Sequence, residues 1–145
     1  MMSLIPMEKT SDRMLDFSIP CSVEARDEAY HEIRQFMKSM HLSDTVLTDH
    51  ICLCTEELLD NIVVYSGMTE RHLIDIRIVC QSETVMVMTK DDGAVFDPVS
   101  YGVEKRGLGM TLIHSLCQKY EYRYMYGQNM SFMTWSIPHT EKTDI

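Results

Sequence analysis

Residues 71–89 read RHLIDIRIVCQSETVMVMT, and the pattern of this stretch decides the fold. Between 74 and 78, isoleucines alternate with charged residues, which is the two-residue period of a strand with one buried face. The run TVMVMT at 84–89 is more apolar and indicates a more buried strand. Only residues 81–83 separate the two runs, so we predict a hairpin, whose strands must be antiparallel.

Upstream of the hairpin, the sequence predicts a strand and two helices. Residues 13–19 alternate apolar and polar side chains and predict a half-buried strand. Ser22 is a suitable N-cap for a helix over about 22–41. A longer helix begins near Asp44, carries apolar residues three or four positions apart, and ends at Gly67, which can adopt a left-handed conformation.

Downstream of the hairpin, the sequence predicts a loop, a helix and a second hairpin. Residues 90–106 show no periodicity and contain Gly and Pro breakers, which indicates a loop. A third helix is predicted over 109–119, and strands are predicted over 121–126 and 130–137.

This order of elements predicts an α/β fold, a two-layer sandwich in which three helices cover one face of a mixed, mostly antiparallel sheet. The chain of 145 residues has the length of one domain. We expect that domain to span 10–137, with tails at 1–9 and 138–145.

Composition and charge exclude several classes of partner. Apolar residues make up 45% of the chain and charged residues 24%, which is typical of a folded globular domain. The net charge of −9 would repel nucleic-acid phosphates and anionic lipids, so neither nucleic acid nor a membrane is an expected partner. No stretch approaches the roughly 18 apolar residues of a membrane span, and the first residues do not resemble a secretory signal. We therefore expect a cytoplasmic protein.

An acid and an amide share one face of the longer helix. Glu57, Asn61 and Tyr65 follow one another at four-residue spacing, which places them on one stripe. The carbonyl oxygen of Asn61 suits Mg²⁺, which takes few protein ligands, and Glu57 could accept a proton beside that metal. The alternative is an ordinary solvated helix face.

A carboxylate and a glycine follow the buried strand in TKDDGAVFDP, residues 89–98. Asp91 could accept a hydrogen bond from the exocyclic amine of a ligand, and Gly93 would let a flat ring approach the backbone. The alternative is a polar turn, because Asp, Gly and Pro form turns for purely local reasons.

Two glycines open the third helix in RGLGMTLIHSL, residues 106–116. The first N–H groups of a helix that begins at Gly107 or Gly109 could receive phosphate oxygens, and Arg106 could add charge. The alternative is a flexible loop that enters a helix.

Taken together, E-x-x-x-N on a helix, D-x-G-x-x-F after a strand and R-G-L-G-M at a helix start resemble the N, G1 and G2 boxes of the GHKL superfamily of Bergerat-fold ATPases. The segment DDGAVFDP, the short length and the ending YGQNMSFMTW are most similar to the anti-sigma-factor serine kinases and their stand-alone relatives. The resemblance spans about residues 10–137.

The resemblance implies ATP and Mg²⁺ as cofactors and assigns roles to individual residues. It implies that Glu57 is the catalytic base and that Asn61 is the Mg²⁺ ligand. The residues that it places around the adenine are Asp91, Gly93 and Phe96, and those that it places around the phosphates are Arg106, Gly107, Leu108 and Gly109.

The resemblance also implies a function. The leading interpretation is a protein serine/threonine kinase that binds a sigma factor in one state and phosphorylates a small antagonist protein in another. A homodimer would fit this resemblance. The alternatives are a nucleotide-sensing binding module without kinase activity, a detached histidine-kinase catalytic domain and a plain ATP hydrolase.

Two further features have both structural and functional interpretations. Tyr120, Tyr122, Tyr124 and Tyr126 recur at every second position, which indicates packing in the sheet or an exposed partner surface. His31, in YHEIRQF, is similar to the phospho-acceptor box of histidine kinases, but its place within the same domain predicts an ordinary helix surface.

Overall fold

The computed structural model describes residues 5–6, 13–101 and 112–138. Its elements are β1 (Ile5–Pro6), β2 (Met14–Pro20), α1 (Val23–Ser39), α2 (Thr45–Tyr65), β3 (Leu73–Cys80), β4 (Thr84–Asp91), α3 (Leu112–Leu116), β5 (Lys119–Met125) and β6 (Gln128–Ser136). Residues 98–101 are also helical. Within these ranges, no helix combines the length and the apolar character that crossing a membrane requires.

The strands form one six-stranded sheet in the order β1-β2-β3-β4-β6-β5. A mixed, mostly antiparallel sheet is predicted, and each of the described pairings is antiparallel. The predicted hairpins β3–β4 and β5–β6 are both present. The predicted α/β two-layer sandwich is confirmed.

One face of the sheet is buried beneath the helices. In β3, Ile74, Ile76 and Ile78 are fully buried, while the residues between them are half-exposed. Strand β4 follows the same alternation, and in β2 the partners of Ile74 and Ile76, which are Ile19 and Phe17, are buried, so the apolar side chains of three strands form one surface. The side chains that complete the core from α1 and α2 include Ala25, Ala29, Ile33, Met37, Ile51, Leu58, Leu59 and Ile62.

Both long helices begin at the predicted caps. The Ser22 side chain accepts a hydrogen bond from the backbone N–H of Ala25, and the Asp44 side chain accepts one from Leu47. Gly67 follows α2 with a φ of +79°, a left-handed conformation that costs glycine no steric strain. Local sequence therefore determines where these two helices start and where the second one ends.

The predicted loop over 90–106 is wrong in part, because β4 extends to Asp91 and residues 98–101 are helical. Asp97 caps this turn: one carboxylate oxygen accepts from the backbone N–H of Val99 at 3.1 Å, and the other accepts from the Ser100 hydroxyl at 3.2 Å. Pro98 occupies the first helical position, where its fixed φ suits a helix and its missing N–H costs nothing.

Three other boundaries differ from the predictions. The third helix ends at Leu116 rather than 119, where its last carbonyl accepts a hydrogen bond from the Trp135 indole at 3.0 Å. Strand β5 consequently begins at Lys119, two residues earlier than predicted. Residues 5–6, expected to belong to a tail, pair with β2 as β1.

Candidate functional site

Asp91 is a buried carboxylate at the end of β4, with 7% of its surface exposed. Its Oδ1 accepts hydrogen bonds from the backbone N–H of Gly93 and from Nδ2 of Asn129, each at 2.9 Å. Burial raises the pKa of Asp91, and these two hydrogen bonds act in the opposite direction. Because both described bonds fall on Oδ1, Oδ2 is the oxygen that can accept from a ligand.

Gly93 lies where the backbone comes very close to Met68, just beyond α2. A Cβ atom at position 93 would lie 2.7 Å from the Sδ atom of Met68 and 3.2 Å from Oδ1 of Asp91. A side chain at position 93 would therefore have to displace Met68, in addition to obstructing the predicted approach of a ligand ring. Met68 has a flexible side chain, so a bound ring at this place would lie against an adaptable apolar wall.

Asn129 connects Asp91 to the segment that follows it, and no prediction from the sequence gave it this role. Besides its bond to Asp91, Nδ2 donates to the carbonyl of Ala94 at 2.9 Å. The side-chain oxygen of Asn129 accepts from the backbone N–H of Phe96 at 2.9 Å and from the hydroxyl of Tyr122. One amide thus holds both the carboxylate and the backbone of residues 94–96.

An aromatic cluster joins this segment to α2. The ring centroids of Phe96 and Tyr101 are 5.1 Å apart, and those of Tyr101 and Tyr65 are 5.5 Å apart, in edge-to-face arrangements. Tyr65 belongs to the same helical stripe as Glu57 and Asn61. Tyr101 therefore links the end of the predicted α2 stripe to Phe96, which lies five residues beyond Asp91.

The stripe on α2 is not an ordinary solvated face. Asn61 is fully buried, and Glu57 is half-buried with its Oε2 atom inaccessible to solvent. Another face of α2 is fixed to α1, where the Arg34 guanidinium donates to both carboxylate oxygens of Glu56, at 2.6 and 2.9 Å. The apolar face of α2 that packs in the core, supported by this ion pair, sets the rotation of the helix and therefore the face on which Glu57 and Asn61 lie.

The four tyrosines of the predicted stripe over 120–126 divide into two pairs. The hydroxyl of Tyr120 donates to Asp97 at 2.9 Å, and the hydroxyl of Tyr122 binds Asn129, so these two hold the segment after β4. Tyr124 is 42% exposed, and Tyr126 is 97% exposed at a φ of 54° in the turn before β6. The packing interpretation is confirmed for the first pair only.

The predicted phosphate-binding residues lie outside the described residues: Arg106, Gly107, Leu108 and Gly109. The described part of the site therefore consists of the segment from Asp91 to Phe96 and the stripe on α2. Asp91 also borders an open depression of about 440 Å³ that His72, Asp75 and Gln128 line. The carboxylate is thus close to solvent despite its burial.

The donor set fits a metal that takes few protein ligands. No group of three or more His, Cys, Asp or Glu side chains that could hold a metal ion occurs within 13–101 and 112–138. Asn61 offers one neutral oxygen from a buried position on α2. A single amide suits Mg²⁺, which completes its octahedron with phosphate oxygens and water, better than it suits a metal held in a protein cage.

The buried carboxylate at the end of β4 and the polar stripe on α2 thus belong to one two-layer α/β sandwich. A family model described as a histidine kinase-like ATPase domain matches residues 23–135, from the start of α1 to the end of β6. The chain belongs to this family, and membership implies that it binds ATP. No curated protein matches the chain significantly.

Proposed function

We propose that the chain is an ATP-dependent protein serine/threonine kinase of the anti-sigma-factor type. In this proposal it phosphorylates a small antagonist protein and binds a sigma factor. The observation that carries the proposal is the fully buried Asn61, one helical turn after Glu57 on a stripe that reaches the aromatic cluster beside the Asp91 segment. A phosphoryl-transfer site needs an acid and a metal-binding oxygen at the same end of a nucleotide.

Asp91 would recognise the base. Its Oδ2 can accept a hydrogen bond from the exocyclic amine of adenine, whereas guanine presents a carbonyl oxygen at the equivalent position. A carboxylate would repel that oxygen, so the site should prefer ATP to GTP. Phe96, fixed through its backbone N–H by Asn129, would line the pocket beside the base.

Glu57 and Asn61 would act at the phosphates. Asn61 would hold Mg²⁺, which when bound neutralises charge on the phosphate oxygens. Glu57 would orient the acceptor hydroxyl and accept its proton, and its half-buried position excludes part of the bulk water that would otherwise compete. Positioning of this kind provides most of the catalysis in phosphoryl transfer.

The second candidate is a nucleotide-sensing module that regulates a protein partner without transferring phosphate. The contact between Tyr65 and Tyr101 favours this second candidate. It couples α2 to the segment that follows Asp91 and Phe96. Nucleotide binding at Asp91 could change a partner surface through this contact. Turnover separates the two candidates: only the kinase produces ADP from Mg-ATP in stoichiometric proportion to a phosphorylated partner.

The proposal includes a cytoplasmic location and possible homodimerisation. The exposed Tyr124 and Tyr126 at the β5–β6 turn offer an aromatic surface to a protein partner.

A detached histidine-kinase domain and a plain ATP hydrolase are weaker candidates. His31, whose surroundings are similar to a phospho-acceptor box, is exposed on α1, as expected of an ordinary helix surface.

The test is transfer of labelled phosphate from ATP to a candidate antagonist protein. Glu57→Gln keeps the size of the side chain, so we expect ATP binding to persist while transfer falls at least a hundredfold, the usual effect of losing a general base. Glu56→Gln, the same change one residue earlier on the face bound to Arg34, is the matched control and should retain transfer. Transfer that survives Glu57→Gln would contradict the assignment of the base.

A further inference from the structure

Asn129 and Asp91 are direct partners across β4 and β6. In an antiparallel pair, side chains of opposite residues emerge on the same face and lie within contact distance. Both residues are buried, at 4% and 7% exposure. The contact between them is therefore set by the register of the sheet rather than by a loop.

The side chain of Asn129 uses its full hydrogen-bonding capacity within the protein. An amide has two N–H donors and an oxygen with two lone pairs. One N–H reaches Oδ1 of Asp91 at 2.9 Å, and the other reaches the carbonyl of Ala94 at 2.9 Å. The oxygen accepts from the backbone N–H of Phe96 and from Tyr122. Nothing remains with which Asn129 could bind a ligand directly.

We propose that Asn129 is a positioning residue that acts through Asp91: it occupies Oδ1 so that Oδ2 faces the exocyclic amine of the base, and it holds residues 94–96 in place before the nucleotide binds. This inference rests on the proposed recognition of adenine by Asp91. It goes beyond that recognition because it explains how the carboxylate is oriented and kept ionised.

The chemistry of the amide explains why asparagine suits this position. Aspartate would present only acceptors to Asp91 when ionised, and serine has one hydroxyl donor that cannot satisfy Asp91 and Ala94 at once. Loss of the Nδ2 donor should raise the pKa of Asp91, because hydrogen bonds to a carboxylate favour its charged form. The other titratable and charged groups around Asp91 are Asp92, His72, Arg71, Asp75, Cys21 and Tyr122.

The experiment measures the pKa of the Asp91 carboxyl by carbon-detected NMR in the nucleotide-free protein, and the affinity for ATP by calorimetry. In Asn129→Ala, which removes both donors, we expect a higher pKa of Asp91 and an affinity for ATP lower by roughly tenfold to a hundredfold, the usual value of a hydrogen bond to a charged group. Asn129→Val, which suits a strand and also lacks a donor, provides the same test if the alanine variant fails to fold.

Two tyrosine variants distinguish the positioning of Asp91 by Asn129 from a general loosening of residues 94–96. Tyr122→Phe removes a partner of Asn129 but leaves the bond to Asp91, so the affinity for ATP should fall without a change in the pKa of Asp91. Tyr124→Phe alters an exposed tyrosine of the same strand and should change neither quantity. A pKa of Asp91 that is the same in wild type and both Asn129 variants would overturn the inference.

A double-mutant cycle gives a second criterion. If Asn129 acts through Asp91, then Asn129→Ala should cost much less affinity for ATP in the Asp91→Asn background than in wild type. Equal costs in the two backgrounds would also overturn the inference. If the pKa of Asp91 shifts as expected but the wild-type protein binds no ATP, the proposed function fails while the relation between these two residues stands.

Discussion

The Nδ2 atom of Asn129 lies 2.9 Å from Oδ1 of Asp91, across the β4–β6 pair at the end of the sheet. This bond holds a carboxylate in a place where burial disfavours its charge. A stable fold alone would not need a charged group there.

The first prediction concerns pH. Burial places the folded-state pKa of Asp91 above its usual value of 3.8, so the folded protein binds this proton more tightly than the unfolded chain does. The contribution of Asp91 to stability therefore falls as pH rises from 3.8 through the raised pKa, and stays at its lower level above it. The affinity for ATP changes in the opposite direction, because the ionised form accepts the amine hydrogen bond.

Calorimetric titrations with ATP and denaturant titrations at several pH values check both effects. Asp91→Asn is the control, since it should remove the pH-dependent component that belongs to Asp91 from both curves. The titration of the ATP phosphates remains in the control and can be subtracted. A difference between wild type and Asp91→Asn that does not vary with pH would contradict the assigned burial of the charge.

The second prediction concerns Gly93. Gly93→Ala should lower the free energy of unfolding by about 1–3 kcal/mol, because the new Cβ would lie 2.7 Å from Sδ of Met68. Urea denaturation measures this change. The double variant Gly93→Ala/Met68→Ala should lose less stability than the sum of the two single variants, since the collision is removed. Additive effects would show that Met68 does not cause the strain.

The third prediction concerns Asn61. Asn61→Ala should remove most of the gain in ATP affinity that Mg²⁺ provides, while ATP binding without Mg²⁺ changes little. The reason is that Asn61 is the proposed protein ligand of the metal. Calorimetry with ATP in Mg²⁺ and in EDTA measures the difference. Val64→Ala, at a position of α2 that is 53% exposed, should behave as wild type. An unchanged Mg²⁺ effect in Asn61→Ala would exclude this role.

The fourth prediction concerns Tyr120. Tyr120→Phe removes the hydroxyl that binds Asp97 at 2.9 Å and Ser131 at 2.9 Å, so stability should fall by about 1 kcal/mol or somewhat more. Tyr126→Phe is the matched control, because its side chain is 97% exposed, and it should change stability by less than about 0.5 kcal/mol. Equal melting temperatures for the two variants would show that Tyr120 does not anchor the segment after β4.

The fold was largely predictable because its signals are local. The alternation in β3 and the caps at Ser22 and Asp44 depend only on neighbouring residues. The helix at 98–101 also has a local signal, since Asp97 followed by Pro98 is a typical helix start, but Pro98 counts equally as a breaker and, with Gly93 and Gly102, predicts a loop.

The site was predictable only where its residues belong to one continuous sequence motif. Asp91, Gly93 and Phe96 lie in one short segment, and the structure brings them to the sheet end near Met68 and Tyr101. The role of Asn129 depends on its pairing with Asp91 across β4 and β6. These two residues are 38 positions apart in the sequence, so no local pattern shows the pairing.

The central claim is that Asp91 recognises the adenine of ATP, and calorimetric titration of ATP into wild type, Asp91→Asn and Asp92→Asn tests it most directly. Asp92 is exposed and adjacent, so its variant preserves the change in charge while leaving the buried oxygen intact. The account predicts that wild type and Asp92→Asn bind ATP alike, and more tightly than GTP, whereas Asp91→Asn loses binding at least tenfold. ATP binding of equal strength in all three proteins would contradict it.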